Sequence, residues 1–216
     1  IKVGTGTYRL LNSNSNMIGG LEVRQGTVLV DDKVLWGNVR GGVGNNVIVW
    51  SQGTLGGKGR IQGNVDLKGR LTPGSKGTGM LMISDSLSII DGTPGIRNFN
   101  LTCQPGSVLE FEAGSTQNYD KIYVSGNVKM NTDSASSLPA ALVKVIPAST
   151  LSIQDGDVLT LIEADTINAA IGSYSVAFEG FNDIEWTSEI VHSTEPRISK
   201  LIATAHVKTG LTNSKL

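Results

Sequence analysis

The sequence predicts an all-β protein built as a parallel β-helix, a solenoid of stacked coils. Three observations lead there. Apolar and polar residues alternate from end to end, and no segment shows a capped 3.6-residue period. Glycine is abundant, at 27 of 216 residues, and much of it is spaced by single apolar residues. Aromatic residues are only 5% of the chain and charged residues 17%, low for a globular enzyme.

In chain order, "GLEVRQGTVLV" puts Leu21, Val23, Val28 and Val30 on one face. "GRIQGNVDLKGRL" repeats the pattern, and "GMLMISDSLSII" carries it through Leu81, Ile83, Leu87 and Ile89. "SVLEFEAG" offers Val108, Leu109 and Phe111. "DKIYVSGNVKM" offers Ile122, Val124, Val128 and Met130, followed by "ALVKVIP" and "DVLTLIEA". In "SSLPAALVKV", Pro139 and the β-branched run argue for a strand after a turn rather than a helix. Gly, Asn, Ser and Asp fill the gaps and supply the positive φ values that turns need.

The stretch "GTLGGKGRIQGNVDLKGRLTPG", Gly53 to Gly74, repeats a Gly-x-apolar-x-Gly-x-apolar motif. Its spacing fits a solenoid coil of about 20 residues. Asn38, Asn45, Asn46, Asn64 and Asn127 recur at expected bends. Each coil would pair with those above and below at about 4.8 Å. Its narrow interior admits one layer of Val, Ile and Leu and leaves little room for large aromatics. One coil cannot bury its own apolar face, so stability comes from stacking and the ends need caps. The pattern changes near Ser115. Residues 1–115 read as coils, and 116–216 as a wider capping section of the same solenoid. Tyr119, Tyr123, Tyr174, Phe178, Phe181 and Trp186 lie in that second part. Tyr174, Phe178, Trp186 and Ile202 are expected to form the cap core.

The totals exclude several classes. Lys plus Arg is 18 against 19 Asp plus Glu, so no basic excess points to nucleic acid. The single cysteine, Cys103, forbids an internal disulfide framework and reads as a buried small apolar residue. No apolar run approaches the roughly 18 residues of a membrane span. The opening "IKVGTGTYRL" has neither Met nor an apolar signal region, and it reads as the start of a cut piece of a longer protein.

No catalytic, cofactor or metal site is predicted. His192 and His206 are the only candidates for a neutral-pH base, and no Gly-x-Ser-x-Gly elbow accompanies them. Their spacing does not suit zinc. Asp31-Asp32 and the Asp155/Asp157 pair around Gly156 read as turns, and Asp165 is isolated. Asp66 reads as a single outward carboxylate without an obvious partner. "GTGTYRL" and "GGVG" lack the Lys-Ser/Thr and the helix of a phosphate loop. Trp36 and Trp50 end the apolar runs "KVLW" and "VIVW". They are either sugar-stacking platforms or residues half-buried at a coil edge, and the second reading is preferred.

The segment from Gly53 to Ile83 resembles the C-terminal passenger repeat of bacterial autotransporters, the type V secretion class. The matching pieces are the Gly-Thr-Leu-Gly-Gly start at Gly53 to Gly57, Gly59 to Val65, the Pro-Gly turn at Gly69 to Gly74, and Leu81 to Ile83. Downstream, Asp120, Ile122, Val124, Gly126 and Val128 are similar to the family's Asp-x-Ile/Leu-x-Val-x-Gly-x-Val segment. Gly156, Leu161 and Ile162 resemble its Gly-x-x-x-x-Leu-Ile segment. The chain departs from the pattern at Met80 and Met82, at the insert "DGTPGIRNFNLTCQ", and in the tail after Tyr174.

The resemblance implies a right-handed β-helix exported through the outer membrane of a Gram-negative bacterium, displayed at the cell surface or secreted. It implies that the second half is the autochaperone region, with the chain's own translocator β-barrel and upstream passenger coils as partners. With the aromatic shift, it selects Tyr119, Ile122, Val124, Val128, Leu159, Leu161, Tyr174, Phe178 and Trp186 as candidates for a folding nucleus and cap. The alternative is an adhesin module that binds a host or bacterial surface ligand, or itself. A β-helix lyase or hydrolase would need clustered charges on one coil face, and the sequence shows none.

Overall fold

The computed structural model describes residues 1–11, 20–31, 46–74, 77–84, 98–131, 139–170, 172–194 and 197–208, with the backbone at 15–16 and 35–36. Asp32, the Trp36 side chain, Asn38, Gly41 to Asn45, Leu87, Ile89 and residues 91–97 of the insert lie outside them. The described residues are all-β, with no helix. In chain order the first strands are β1 (Thr7–Leu10), β2 (Ser15–Asn16), β3 (Leu21–Val30), β4 (Leu35–Trp36), β5 (Val47–Gly57) and β6 (Arg60–Gln62). There follow β7 (Val65–Leu67), β8 (Arg70–Pro73), β9 (Met80–Ile83), β10 (Leu101–Cys103), β11 (Val108–Ser115) and β12 (Asn118–Tyr119). The last are β13 (Lys121–Met130), β14 (Ala141–Pro147), β15 (Val158–Ala169), β16 (Tyr174–Phe178), β17 (Ile184–Thr194) and β18 (Arg197–Val207).

Most pairing is parallel and follows three ladders, visited in the same cyclic order. The first ladder holds the leading halves of β3 and β5, then β7, β10 and the trailing halves of β13 and β15. The second holds β1, the trailing halves of β3 and β5, then β8, β11, β14 and β16. The third holds β2, β4, β6, β9 and the leading halves of β13 and β15. Long strands such as β13 belong to two ladders, and a register shift at Val124/Asn127 marks the corner between them.

Register turns the alternation into columns. In the first ladder Leu21, Val47, Val65, Leu101, Val128 and Ile167 stack and are all buried. In the second, Val28, Leu55, Leu71, Leu109 and Val143 do the same. In the third, Leu81, Ile122 and Ile162 stack, and Ile61, Ile83, Val124 and Ala164 form a parallel column. Like residues at one register keep each apolar side chain against the next, which is how short strands gain a continuous core.

The Gly53–Gly74 stretch packs closely against neighbouring backbone. A Cβ at Gly69 would run into the carbonyl oxygens of Trp50 and Gly53. Gly57 holds φ of 110° and faces the Val30 backbone, so no other residue fits there without strain.

Two expectations are corrected. Phe111 is fully buried, the largest such side chain among the described residues, so the interior is not closed to aromatics. It stacks on Val145, which stacks on Phe178, so the second ladder is wide enough there for rings. Val108 points outward and Leu109 inward, because Ser107, after the Pro105-Gly106 turn, takes the preceding inward position.

Candidate functional site

The C-terminal end differs from the rest because the third ladder stops being parallel. β18 runs antiparallel against β15, setting Leu201 opposite Ile162 and Ala203 opposite Leu159. β17 then pairs antiparallel with β18 along its whole length. Leu201, Ala203 and Ala205 point inward and are fully buried, with Ser199 almost so. Small side chains at alternate positions, Ser199, Ala203 and Ala205, let β18 lie close against the core beside β15. Ile202, expected in the cap core, sits on the opposite face of β18 and is only half-buried.

The nine nucleus and cap candidates belong to, or pack against, the single apolar core that runs from Leu10 to Ala203, which does not set them apart from its other residues. Ile122, Val124, Val128, Leu159 and Leu161 are fully buried within it. Tyr119, Tyr174, Phe178 and Trp186 are half-buried and pack against it. Phe178 and Trp186 stack at 5.2 Å with their planes 3° apart, and Phe181 meets Trp186 edge-on at 5.3 Å. Burial pushes the Tyr174 hydroxyl above the usual tyrosine range. Val158, just before Leu159 in β15, is 47% exposed and lies outside that core.

Asp120 is the charged group that sequence reasoning passed over as a site. It is buried between β12 and β13 and accepts hydrogen bonds from the backbone N–H of Gly79 at 2.7 Å and of Glu112 at 2.9 Å. It thereby joins the entry to β9, the middle of β11 and the start of β13. Burial pushes its carboxyl up to about 7, against the lowering effect of the two N–H donors; the Glu112 charge raises it further and Lys58 lowers it. The sequence signals were its place as the acid of the Asp-x-Ile-x-Val motif and as a lone acid between Tyr119 and Lys121 at the head of an alternating strand.

Polar ladders line the outside. The Asn64 Nδ2 donates to Asn46 Oδ1 at 3.4 Å, the Asn100 N–H to Asn64 Oδ1 at 2.9 Å, and the Asn127 N–H to Asn100 Oδ1 at 2.8 Å. Asn46, Asn64 and Asn127 were expected at bends; Asn100, which was not, completes the row. On the second ladder's outer face Arg70 pairs with Glu110 at 2.6 Å and Lys144 with Glu179 at 2.8 Å, with Lys144 also 3.8 Å from Glu110. On the first ladder, Asp66 is not alone. It accepts from Gln104 Nε2 at 2.7 Å, Gln104 accepts from Asn131 at 3.0 Å, and Lys68 lies 3.9 Å away. The Lys68 ammonium also sits 4.1 Å over the ring of Trp50, which is 38% exposed.

The structure brings His192 and Ser199 together, at 2.8 Å between Nδ1 and Oγ, in a cleft with Asp165 and Thr166. They are cross-strand neighbours on the β17–β18 hairpin. Ser199 is only 3% exposed, so its hydroxyl is not presented to a substrate. His206 lies 3.1 Å from the Thr187 hydroxyl. Asp155 and Asp157 close a turn: Asp155 accepts from the Val207 N–H at 3.0 Å and Asp157 from the Gln154 N–H at 2.8 Å. Cys103 is fully buried, and burial pushes its thiol up to about 12, far from a reactive thiolate. Among the described residues no group of three or more His, Cys, Asp or Glu is placed to hold a metal ion. Comparison with protein-family models and with curated proteins gives no match.

Proposed function

We propose that this chain is a non-catalytic passenger segment of a secreted or surface-displayed autotransporter, folded as a right-handed parallel β-helix. In this reading residues 1–115 are stalk coils, and 116–216 are the section that folds first and templates the coils before it. One observation carries the proposal. The parallel columns end under an antiparallel lid, β17–β18, whose buried Leu201 and Ala203 lock onto Ile162 and Leu159 beside the Phe178–Trp186 stack.

The mechanism is physical. A chain emerging unfolded, C-terminal end first, through its translocator barrel can form this lid without any upstream partner. The exposed rungs of β13, β14 and β15 then offer free N–H and C=O groups to the preceding strands. Each coil added buries aliphatic side chains at about 25 cal/mol per Å², which opposes back-sliding. No cofactor or nucleic acid enters this account.

Hydrogen exchange of the 216-residue chain is one test. The slowest amides are expected in β13, β15 and β18, and the fastest in β1 and the leading half of β3. The biological arm is secretion of the full passenger after deletion of 116–216. Unimpaired secretion, together with faster exchange after residue 115 than before it, would sink the proposal.

The outer face of the first ladder favours a second reading, an adhesin. Trp50, Lys68, Asp66, Gln104 and Asn131 place one exposed ring and a row of hydrogen-bonding groups on adjacent rungs. Binding of the isolated chain to host or bacterial surfaces, abolished by Trp50→Ala, would support it.

A further inference from the structure

We propose that the free edge of β17 is a self-pairing surface, by which two copies of this chain form a closed antiparallel dimer centred on Ser188. The inference rests on the hairpin geometry and is independent of the secretion reading.

β17 pairs with β18 and with no other described strand. Antiparallel residues alternate between pairs that exchange both backbone hydrogen bonds and pairs that exchange none. The phase is fixed here at the open end of the hairpin, on each of its two strands. Lys208 donates its N–H to the Asp183 carbonyl at 3.0 Å, so the odd-numbered residues of β17 face β18. Ala205 exchanges hydrogen bonds with Gly156 and Asp157 at 2.9 Å, so the odd-numbered residues of β18 face away from β17, as the same phase requires. The N–H and C=O groups of Ile184, Trp186, Ser188, Ile190, His192 and Thr194 therefore point out of the sheet along an unpaired edge.

Folded proteins normally blunt such an edge with lysine, proline, a bulge or brevity. β17 is 11 residues long, keeps one register throughout, and contains no Lys, Arg or Pro. Its length of about 37 Å is ample for strand addition. None of its side chains is fully buried, unlike those of β13 or β15, which have strands on both sides.

The occupant follows from the sequence of the edge itself. A two-fold axis normal to the sheet pairs residues of equal parity, keeping Trp186 and Ile190 of both copies on the core side. Centring the axis on Thr187 sets Glu185 opposite the second copy's Glu189. Centring it on Glu189 sets the two Glu189 carboxylates face to face. Centring it on Ile190 leaves Trp186 opposite Thr194. Centring it on Ser188 sets Trp186 opposite Ile190, Thr187 opposite Glu189, and Glu185 opposite Val191. No carboxylate then meets another, and an aromatic meets an aliphatic side chain, the better cross-strand pairing.

Sedimentation of the 216-residue chain between about 1 µM and about 1 mM tests the dimer. The mass is expected to rise from one chain to two. Ser188→Pro removes an outward N–H only, so it should leave one chain at every concentration with an unchanged unfolding midpoint. Cysteines test the register and survive any folding failure of the proline variant. Thr187→Cys and Glu189→Cys lie on the solvent face and should form an intermolecular disulfide when the two variants are mixed, and far less when each is alone. A single-chain mass throughout, growth beyond two chains, or cross-linking no greater in the mixture than in either variant alone overturns the proposal.

Discussion

The first and last described rungs are made of the same kind of strand and differ in what covers them. At the first turn Ile1, Val3, Tyr8 and Leu11 are all more than half exposed, and Ile1 is 76% exposed. At the last turn the third ladder is covered by β18, and Leu201, Ala203 and Ala205 are fully buried. The interior columns differ little between the ends. Among the described residues the apolar alternation thus builds parallel rungs at either end, and antiparallel pairing covers the third ladder.

The sharpest way to break this contrast is to place the same charge at both ends. Leu201→Asp buries a carboxylate against Ile162 and should cost at least about 4 kcal/mol. Val3→Asp adds a carboxylate at a site already 65% exposed, and its effect should stay within about 0.5 kcal/mol. Phe111→Ala, at the head of the Phe111–Val145–Phe178 column, falls between them at about 3–5 kcal/mol. Denaturant unfolding reads all three. Equal losses at Val3 and Leu201 would mean that the first turn is capped as firmly as the last.

The next effect is pH-dependent and belongs to the capped half. The Asp120 carboxyl has a folded value of about 7 against an ordinary 3.8, chiefly through burial. Between those values the folded state holds a proton that the unfolded state has lost. Stability is therefore greatest below the ordinary value and declines as pH rises through about 7. Each unit of difference corresponds to about 1.4 kcal/mol. Asp120→Asn should flatten the slope between pH 3.8 and about 7 in unfolding experiments. A slope that persists in the variant would assign it to another group.

Much of the core was legible because alternation is local. Ile122, Val124, Val128, Leu159 and Leu161 announce their inward positions within ten residues of sequence. Phase errors arose where a neighbour sets the starting point. "LIATAHV" alternates equally well with Leu201 or Ile202 inward, and only the register against β15 selects Leu201. Val108 was misassigned for a similar reason, since the turn before β11 gives Ser107 the inward position. Contacts between rungs were less legible, because coil lengths vary. Leu55 stacks on Leu71, but Leu71 stacks on Leu109, so a fixed repeat does not predict that Gln104 meets Asp66. The same irregularity hid Asn100 within its own row.

That row supplies the third prediction. Asn100 accepts from the Asn127 N–H and donates its own N–H to Asn64 Oδ1. Asn100→Ala removes the acceptor of the exposed Asn127 N–H, which can turn to water, at a cost of about 0.5–1.5 kcal/mol. Because the row spans the boundary near residue 115, the loss should accelerate exchange on both sides of it. Acceleration confined to one side would show that the two sections are less coupled than the continuous ladders suggest.

The smallest effect is expected where the charges look most organised. Lys144 bridges Glu179 at 2.8 Å and Glu110 at 3.8 Å, and Glu110 also holds Arg70 at 2.6 Å. The four groups climb the outer face of the second ladder in order. Yet the Glu179 side chain is 55% exposed and Arg70 42%, so water and salt screen most of the attraction. Lys144→Gln should cost less than about 1 kcal/mol at low salt. The difference from the parent should shrink toward zero near 1 M salt, where the Debye length falls to about 3 Å. A larger, salt-independent loss would mean that the Lys144 stem, lying between the β11 and β16 rungs, stabilises the coil by packing rather than by charge. The outer face would then contribute to the stack in the same way as the columns inside it.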